Sequence, residues 1–135
     1  MKSYTPVNNI IVAAMAEVFP DIPCGHLRYT GKSQNYAIFR VSSRIKKGIG
    51  SGNNRRVDSY GFIDIYTRYD LTVSGSELEM VDEIFSENGI WVRGINSLDY
   101  QEEVNLFHVE IEFIIPVDES VGGKANVKLS RPSDF

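Results

Sequence analysis

The sequence predicts an α+β domain with two layers, in which a mostly antiparallel sheet of four to five strands carries two helices on one face, with a long basic loop and a C-terminal arm. Three observations lead there. Apolar residues recur at three- and four-residue steps in two segments, the helical spacing, and alternate with polar residues in several others, the strand spacing. The elements run helix, strand, strand, loop, strand, helix, strand, strand, so successive strands can pair antiparallel while both helices cover one side. The 135 residues, 42% hydrophobic and 24% charged, suit a single core of ordinary size.

The first helix is expected from Thr5-Pro6, a capping residue followed by proline at the first helical position, where its missing N–H costs nothing. Val7, Ile10, Ile11, Ala14, Met15 and Val18 form its apolar stripe, and Pro20 stops it. Residues 20–26, with two prolines and a glycine, read as a turn, after which 27–30 and 36–42 read as a pair of short strands joined by the polar residues 31–35. Residues 44–56, RIKKGIGSGNNRR, hold five cations and no acid, and read as a flexible basic loop.

Residues 60–71 give the clearest strand, with Ile63, Ile65 and Thr67 on one side and Phe62, Asp64, Tyr66 and Arg68 on the other. The second helix starts at Ser74 with Glu77 as its capping box, or at Ser76 with Glu79. Its stripe is Leu78, Val81, Ile84 and Phe85, and Asn88-Gly89 closes it with a left-handed residue. Strands follow at 91–98 and 106–117, the latter with Phe107, Val109, Ile111, Phe113 and Ile115 inward and His108, Glu110 and Glu112 outward, and residues 99–103 turn between them. The domain is therefore expected to span 1–118, with 119–135 as an extended arm. Its uncovered sheet face would carry Tyr36, Ile38, Phe62, Tyr66, Trp91, Ile95 and Ile114, more apolar surface than a monomer leaves in water, which implies cover by other subunits.

Charge is divided along the chain. Residues 1–56 carry nine basic and two acidic side chains, and residues 57–135 carry five basic and sixteen acidic ones, which leaves a net −4. Such opposed zones select partners by sign and suit stacking of copies. An acidic protein of pI 5.2 is a poor free nucleic-acid binder, although the basic loop is compatible with contact to DNA inside a larger assembly. One cysteine, Cys24, excludes an internal disulfide and a four-cysteine zinc site. No apolar run approaches the roughly 20 residues that cross a bilayer, and the first residues lack a secretory core, so folding in a cytoplasm is expected.

Catalytic motifs are weak. Gly31-Lys32-Ser33 lacks the preceding glycine of a phosphate loop and precedes a strand, and Gly48-Ile49-Gly50-Ser51-Gly52 lacks dinucleotide spacing, so no cofactor is expected. Cys24 and His26 have no further ligands at metal spacing. His108, Glu110 and Glu112 stand about 7 Å apart in a row on one strand face, the arrangement a small metal-dependent enzyme would use and also that of a solvated strand.

The plan of the chain resembles the tail terminator, or tail-completion (head-tail joining), proteins of long-tailed bacteriophages. The resemblance covers about residues 4–118: the amphipathic helix at 7–18, a strand pair and long loop, the strand YGFIDIYTRYD, the helix SELEMVDEIFSENG and the closing strand NLFHVEIEFIIPV. It implies a structural, non-enzymatic virion protein of the tail-neck region, assembled in the host cytoplasm into a ring, typically a hexamer. Such a ring caps the tail tube, ends its polymerisation and offers a joining surface to the head connector. On that reading Arg44, Lys46, Lys47, Arg55 and Arg56 reach into the lumen or onto an adjoining ring, and Glu102, Glu103, Glu110 and Glu112 supply the acidic counterpart on a neighbouring subunit. A head-completion or connector protein of the same neck is the alternative within this class.

Overall fold

A computed structural model describes residues 6–48, 55–74, 76–118 and 124–125. The elements in order are α1 (Pro6–Val18), β1 (Cys24–His26), β2 (Tyr36–Gly48), β3 (Arg55–Thr67), α2 (Leu71–Ser74), α3 (Glu77–Glu87), β4 (Trp91–Gln101), β5 (Leu106–Asp118) and β6 (Lys124–Ala125). The strands form one sheet in the order β1-β2-β3-β5-β4, with β6 added beside β5. All pairings are antiparallel except β1 with β2. The fold is the α+β arrangement expected, with a mostly antiparallel sheet and its helices packed on it.

The core lies between the sheet and helices α1 and α3. Ile11, Ala14, Met15 and Val18 of α1 and Val81 and Phe85 of α3 meet Ala37, Phe39, Ile63, Ile65, Val109, Ile111 and Phe113 of the sheet. Period-two alternation in the strands and the 3.6-residue period of the helices bring these side chains together. Helix α3 closes as its sequence dictates. Gly89 takes φ 84°, its N–H donates to Ser86, the Ile90 N–H donates to Phe85 at 2.8 Å, and the buried Ile90 and Phe85 side chains complete the motif. At its start Ser76 holds the cap position without a side-chain bond, so the Ser74 boundary is displaced by the separate short turn of α2.

Five expectations are corrected. The strand expected over 60–71 ends at Thr67, and Leu71 already opens α2. Residues 27–30 form no strand. The chain pairs earlier, through Cys24, Gly25 and His26 parallel to Ala37, Ile38 and Phe39, and then turns sharply. Leu27 adopts φ 68°, and a Cβ on Gly25 would collide with the Arg28 carbonyl, so 25–28 is a bend too tight for an extended segment. The basic segment 44–56 is largely not loop. β2 continues to Gly48 and β3 begins at Arg55, paired from Arg44 with Ser59 to Gly48 with Arg55, and residues 49–54 lie outside the described residues. The ladder accounts for this, because β3 is already held by β5 along 56–67 and offers β2 a preformed edge.

The turn after β4 is shifted as well. β4 runs to Gln101 and the reversal occupies 102–105, closed by Asn105 at φ 56°. Finally, β4 contains a bulge between Val92 and Gly94, which sends Ile95 to the helix side opposite Ile111 rather than to the open face. In the arm, Lys124 and Ala125 pair with Asp118 and Val117, and the other residues of 119–135 lie outside the described residues.

Candidate interaction surface

Pairing register fixes what the open face presents, since directly opposed residues share a side. One row crosses the sheet as Tyr36, Tyr66, His108 and Leu98, the next as Ile38, Asp64, Glu110 and Asn96, and a third as Arg40, Phe62, Glu112 and Gly94. The first row is a run of stacked rings. Tyr29 from the β1–β2 connection lies 5.1 Å from Tyr36, Tyr36 lies 5.1 Å from Tyr66, and Tyr66 lies 4.4 Å from His108. His108 Nε2 is 2.8 Å from Asp64 Oδ1, a hydrogen bond that anchors the end of the stack. Burial, followed by the Asp64 charge, pushes the Tyr66 phenol above its ordinary 10.0, so it remains a neutral hydrogen-bonding hydroxyl.

The aromatic side chains half-cover one another, and cations lie over two of them. The Arg40 guanidinium sits 4.6 Å from the Phe62 centroid and that of Arg93 sits 5.8 Å from Tyr60. Tyr36, Phe62, Tyr66 and Trp91 are half-buried and Ile114 fully so. The surface is apolar and aromatic in its body, with Asp64, Glu110 and Glu112 set into it. It suits contact with a partner bearing complementary cations better than contact with phosphate, which these carboxylates would repel.

The acidic residues singled out from sequence fall in two places. Glu110 and Glu112 are half-buried on the open face, and Glu102 and Glu103 are exposed in the turn beyond β4. Of the cations, Arg44 and Lys46 are exposed on β2 opposite Ser59 and Val57, and Lys47 and Arg55 occupy positions in β2 and β3. Arg56 turns back onto Asp58, its Nε donating to Oδ1 at 2.7 Å, with Asp58 wholly buried. The antiparallel ladder places Arg44 and Lys46 at the end of the sheet far from Glu102 and Glu103, because β2 runs away from the end at which β4 finishes.

Among the described residues, no group of three or more His, Cys, Asp or Glu side chains is placed to hold a metal ion, and His108 engages Asp64 rather than Glu110 or Glu112. Cys24 is half-buried, and desolvation pushes its thiol up to about 12, so it is a poor nucleophile at neutral pH. Open depressions of about 440 Å³ and 590 Å³ lie along β4 and its turn, the first lined by Ser97, Leu98, Asp99, Tyr100, Gln101 and His108, the second by Tyr100 to Val104. Reading each strand alone missed the ring stack and the His108–Asp64 contact, which exist only across strands. The signal available was the shared parity of Tyr36, Tyr66 and His108 once their strands are paired.

No protein-family profile matches the sequence, and no curated protein matches it. Among solved structures, the chain is similar to a chain of one described as "Virion of native gene transfer agent (GTA) particle", with a TM-score of 0.47 and 8% identity, over 84% of this chain and 92% of that chain. Among the described residues, no helix is long and apolar enough to cross a membrane.

Proposed function

We propose that this protein is a structural subunit of a phage-type particle that assembles with copies of itself and works as a tail terminator, capping the tail tube and offering a joining surface to the head. The observation that carries this reading is the open sheet face, whose aromatic body lacks a covering layer among the described residues. A face of that kind beside a core already complete on the other side is an interface for another polypeptide. The separation of Arg44 and Lys46 from Glu102 and Glu103 along the strands adds polarity, which suits heterologous contacts between successive subunits or rings. Of the plan of elements on which the resemblance rests, α1, α3 and the strands at 60–67 and 106–117 support the reading, while the strand pair 27–30 with 36–42 and the long loop give way to β1 beside β2 and to the extended β2–β3 ladder.

In this role the β2–β3 hairpin faces the lumen or an adjoining ring, where its cations meet acidic protein surface or packaged DNA, and no covalent chemistry is involved. The partners are the tail-tube protein and the head connector. Particles assembled without this protein test the reading: overlong tails are expected. Tails of normal length detached from heads would instead assign it to a neighbouring head-completion role, and a purified protein that stays monomeric with intact particles formed in its absence would reject assembly altogether.

A further inference from the structure

The sheet has two long edges that its own strands leave open. β1 covers β2 only at Ala37, Ile38 and Phe39, so from Arg40 to Gly48 the outer side of β2 has no strand partner among the described residues. At the opposite side β4 pairs, among the described residues, with β5 alone. An uncovered strand is a row of unpaired N–H and C=O groups that accepts another strand unless proline or like charge prevents it. Neither stretch contains proline. The β2 edge carries Arg40, Arg44, Lys46 and Lys47, which repel a second β2, whereas β4 carries Arg93 and Asp99 and leads into Glu102 and Glu103.

Strand directions supply the rest. β2, β3, β5 and β4 alternate across the sheet, so β4 of one copy lying antiparallel to β2 of the next continues the alternation under a simple rotation. The register also sets a stagger. Residues 91–98 of β4 lie level with residues 36–43 of β2, where β1 already sits over 37–39. The two open stretches overlap fully only when the next copy is displaced along the strands by about five residues, roughly 17 Å. That displacement brings its Arg40 level with Asp99 and its Arg44 and Lys46 level with Ile95 and Val92, and strands tilted about a ring axis supply such a stagger.

The geometry points to a head-to-tail edge join in which β4 of one copy adds to the outer side of β2, residues 40–48, of the next. The join rests on the self-assembling reading above and goes further by naming the two surfaces. Proline placed on an outward-facing N–H blocks an edge and spares the monomer, and adjacent residues face opposite ways, so Ser43→Pro and Arg44→Pro serve for β2, and Asn96→Pro and Ser97→Pro for β4. From each pair the variant that keeps the parent's thermal transition is used, and masses are read by light scattering.

The parent is expected to form oligomers and each blocked variant to be monomeric. A mixture of one β2-blocked and one β4-blocked variant should give a one-to-one dimer, since one open edge of each kind remains. Homodimers of either variant, or no dimer in the mixture, would overturn the join, as would parent-like oligomers from both variants, an outcome that leaves the assembly reading standing. A parent that remains monomeric overturns the join, and it rejects the assembly reading as well only when intact particles form in the protein's absence. Hydrogen exchange on the parent is independent of variant folding: slowed exchange in 40–48 and 91–101 on assembly is expected, and unchanged exchange there would refute the join.

Discussion

Arg56 and Asp58 show how one side chain governs another. Asp58 is completely shielded from solvent on a strand whose neighbours Ile45 and Pro116 offer it no charge, and the Arg56 guanidinium, itself 13% exposed, is its partner at 2.7 Å. Arg56→Met leaves a buried carboxylate unpaired, so a loss of about 3 kcal/mol in urea unfolding is expected, and adding Asp58→Leu should restore most of it. Cys24 gives a second residue-scale expectation. Its thiol ionises near 9.0 when unfolded and near 12 when folded, so above the lower value the unfolded chain holds fewer protons than the native one. Stability from this burial is complete below that value and falls as pH rises through the window. Alkylation of Cys24 should therefore be slow at pH 8 in the native protein and fast in denaturant, and equal rates in the two states would contradict the burial.

Where an element's shape depends on its own residues, the sequence was sufficient. α1 and α3 follow from their stripes, and the end of α3 follows from Asn88-Gly89, since only glycine takes φ 84° without a Cβ penalty. Gly89→Ala is expected to cost about 1–2 kcal/mol by thermal unfolding. Where shape depends on a partner strand, it was not legible. Arg44, Ile45, Lys46 and Lys47 have no apolar periodicity, and they are extended because β3 offers a ladder. Cys24 to His26 pair because Ala37 to Phe39 lie beside them, and the β4 bulge that re-aims Ile95 leaves no mark in composition. Gly61 belongs to this second class: a Cβ there would meet the Arg40 carbonyl and Cζ of Phe113, beside the β2 bulge between Val41 and Ser43. Gly61→Ala should therefore destabilise by more than the Gly89 variant, read by the same unfolding experiment, because both obstacles are fixed in backbone and core. The candidate surface divides along the same line. Glu110 and Glu112 were visible as alternate residues of one strand, and the stack from Tyr29 to His108 required the register of three.

Across the molecule, Arg44 and Lys46 stand at one end of the sheet and Glu102 and Glu103 at the other. Lys46 lies level with Val57, and Glu102 follows Gln101, which lies opposite Leu106 one residue beyond the level of Thr67. The ten residue steps from Val57 to Thr67 separate the two zones by roughly 34 Å, about four times the distance over which charges act at physiological salt. Within one copy the zones therefore do not neutralise each other, and each remains available to a second copy that presents the opposite sign. Reversing the exposed pair with Arg44→Glu and Lys46→Glu should leave the fold within about 0.5 kcal/mol of the parent, because neither side chain is buried or bonded to an acid that the fold depends on. Association should weaken at least about tenfold by sedimentation, since attraction to Glu102 and Glu103 turns into repulsion. Salt discriminates this from general damage. Going from about 0.05 M to about 0.5 M should loosen the parent and tighten whatever association the reversed variant retains, as screening removes attraction in one and repulsion in the other. If both respond alike, the contrast of charge is not what brings copies together.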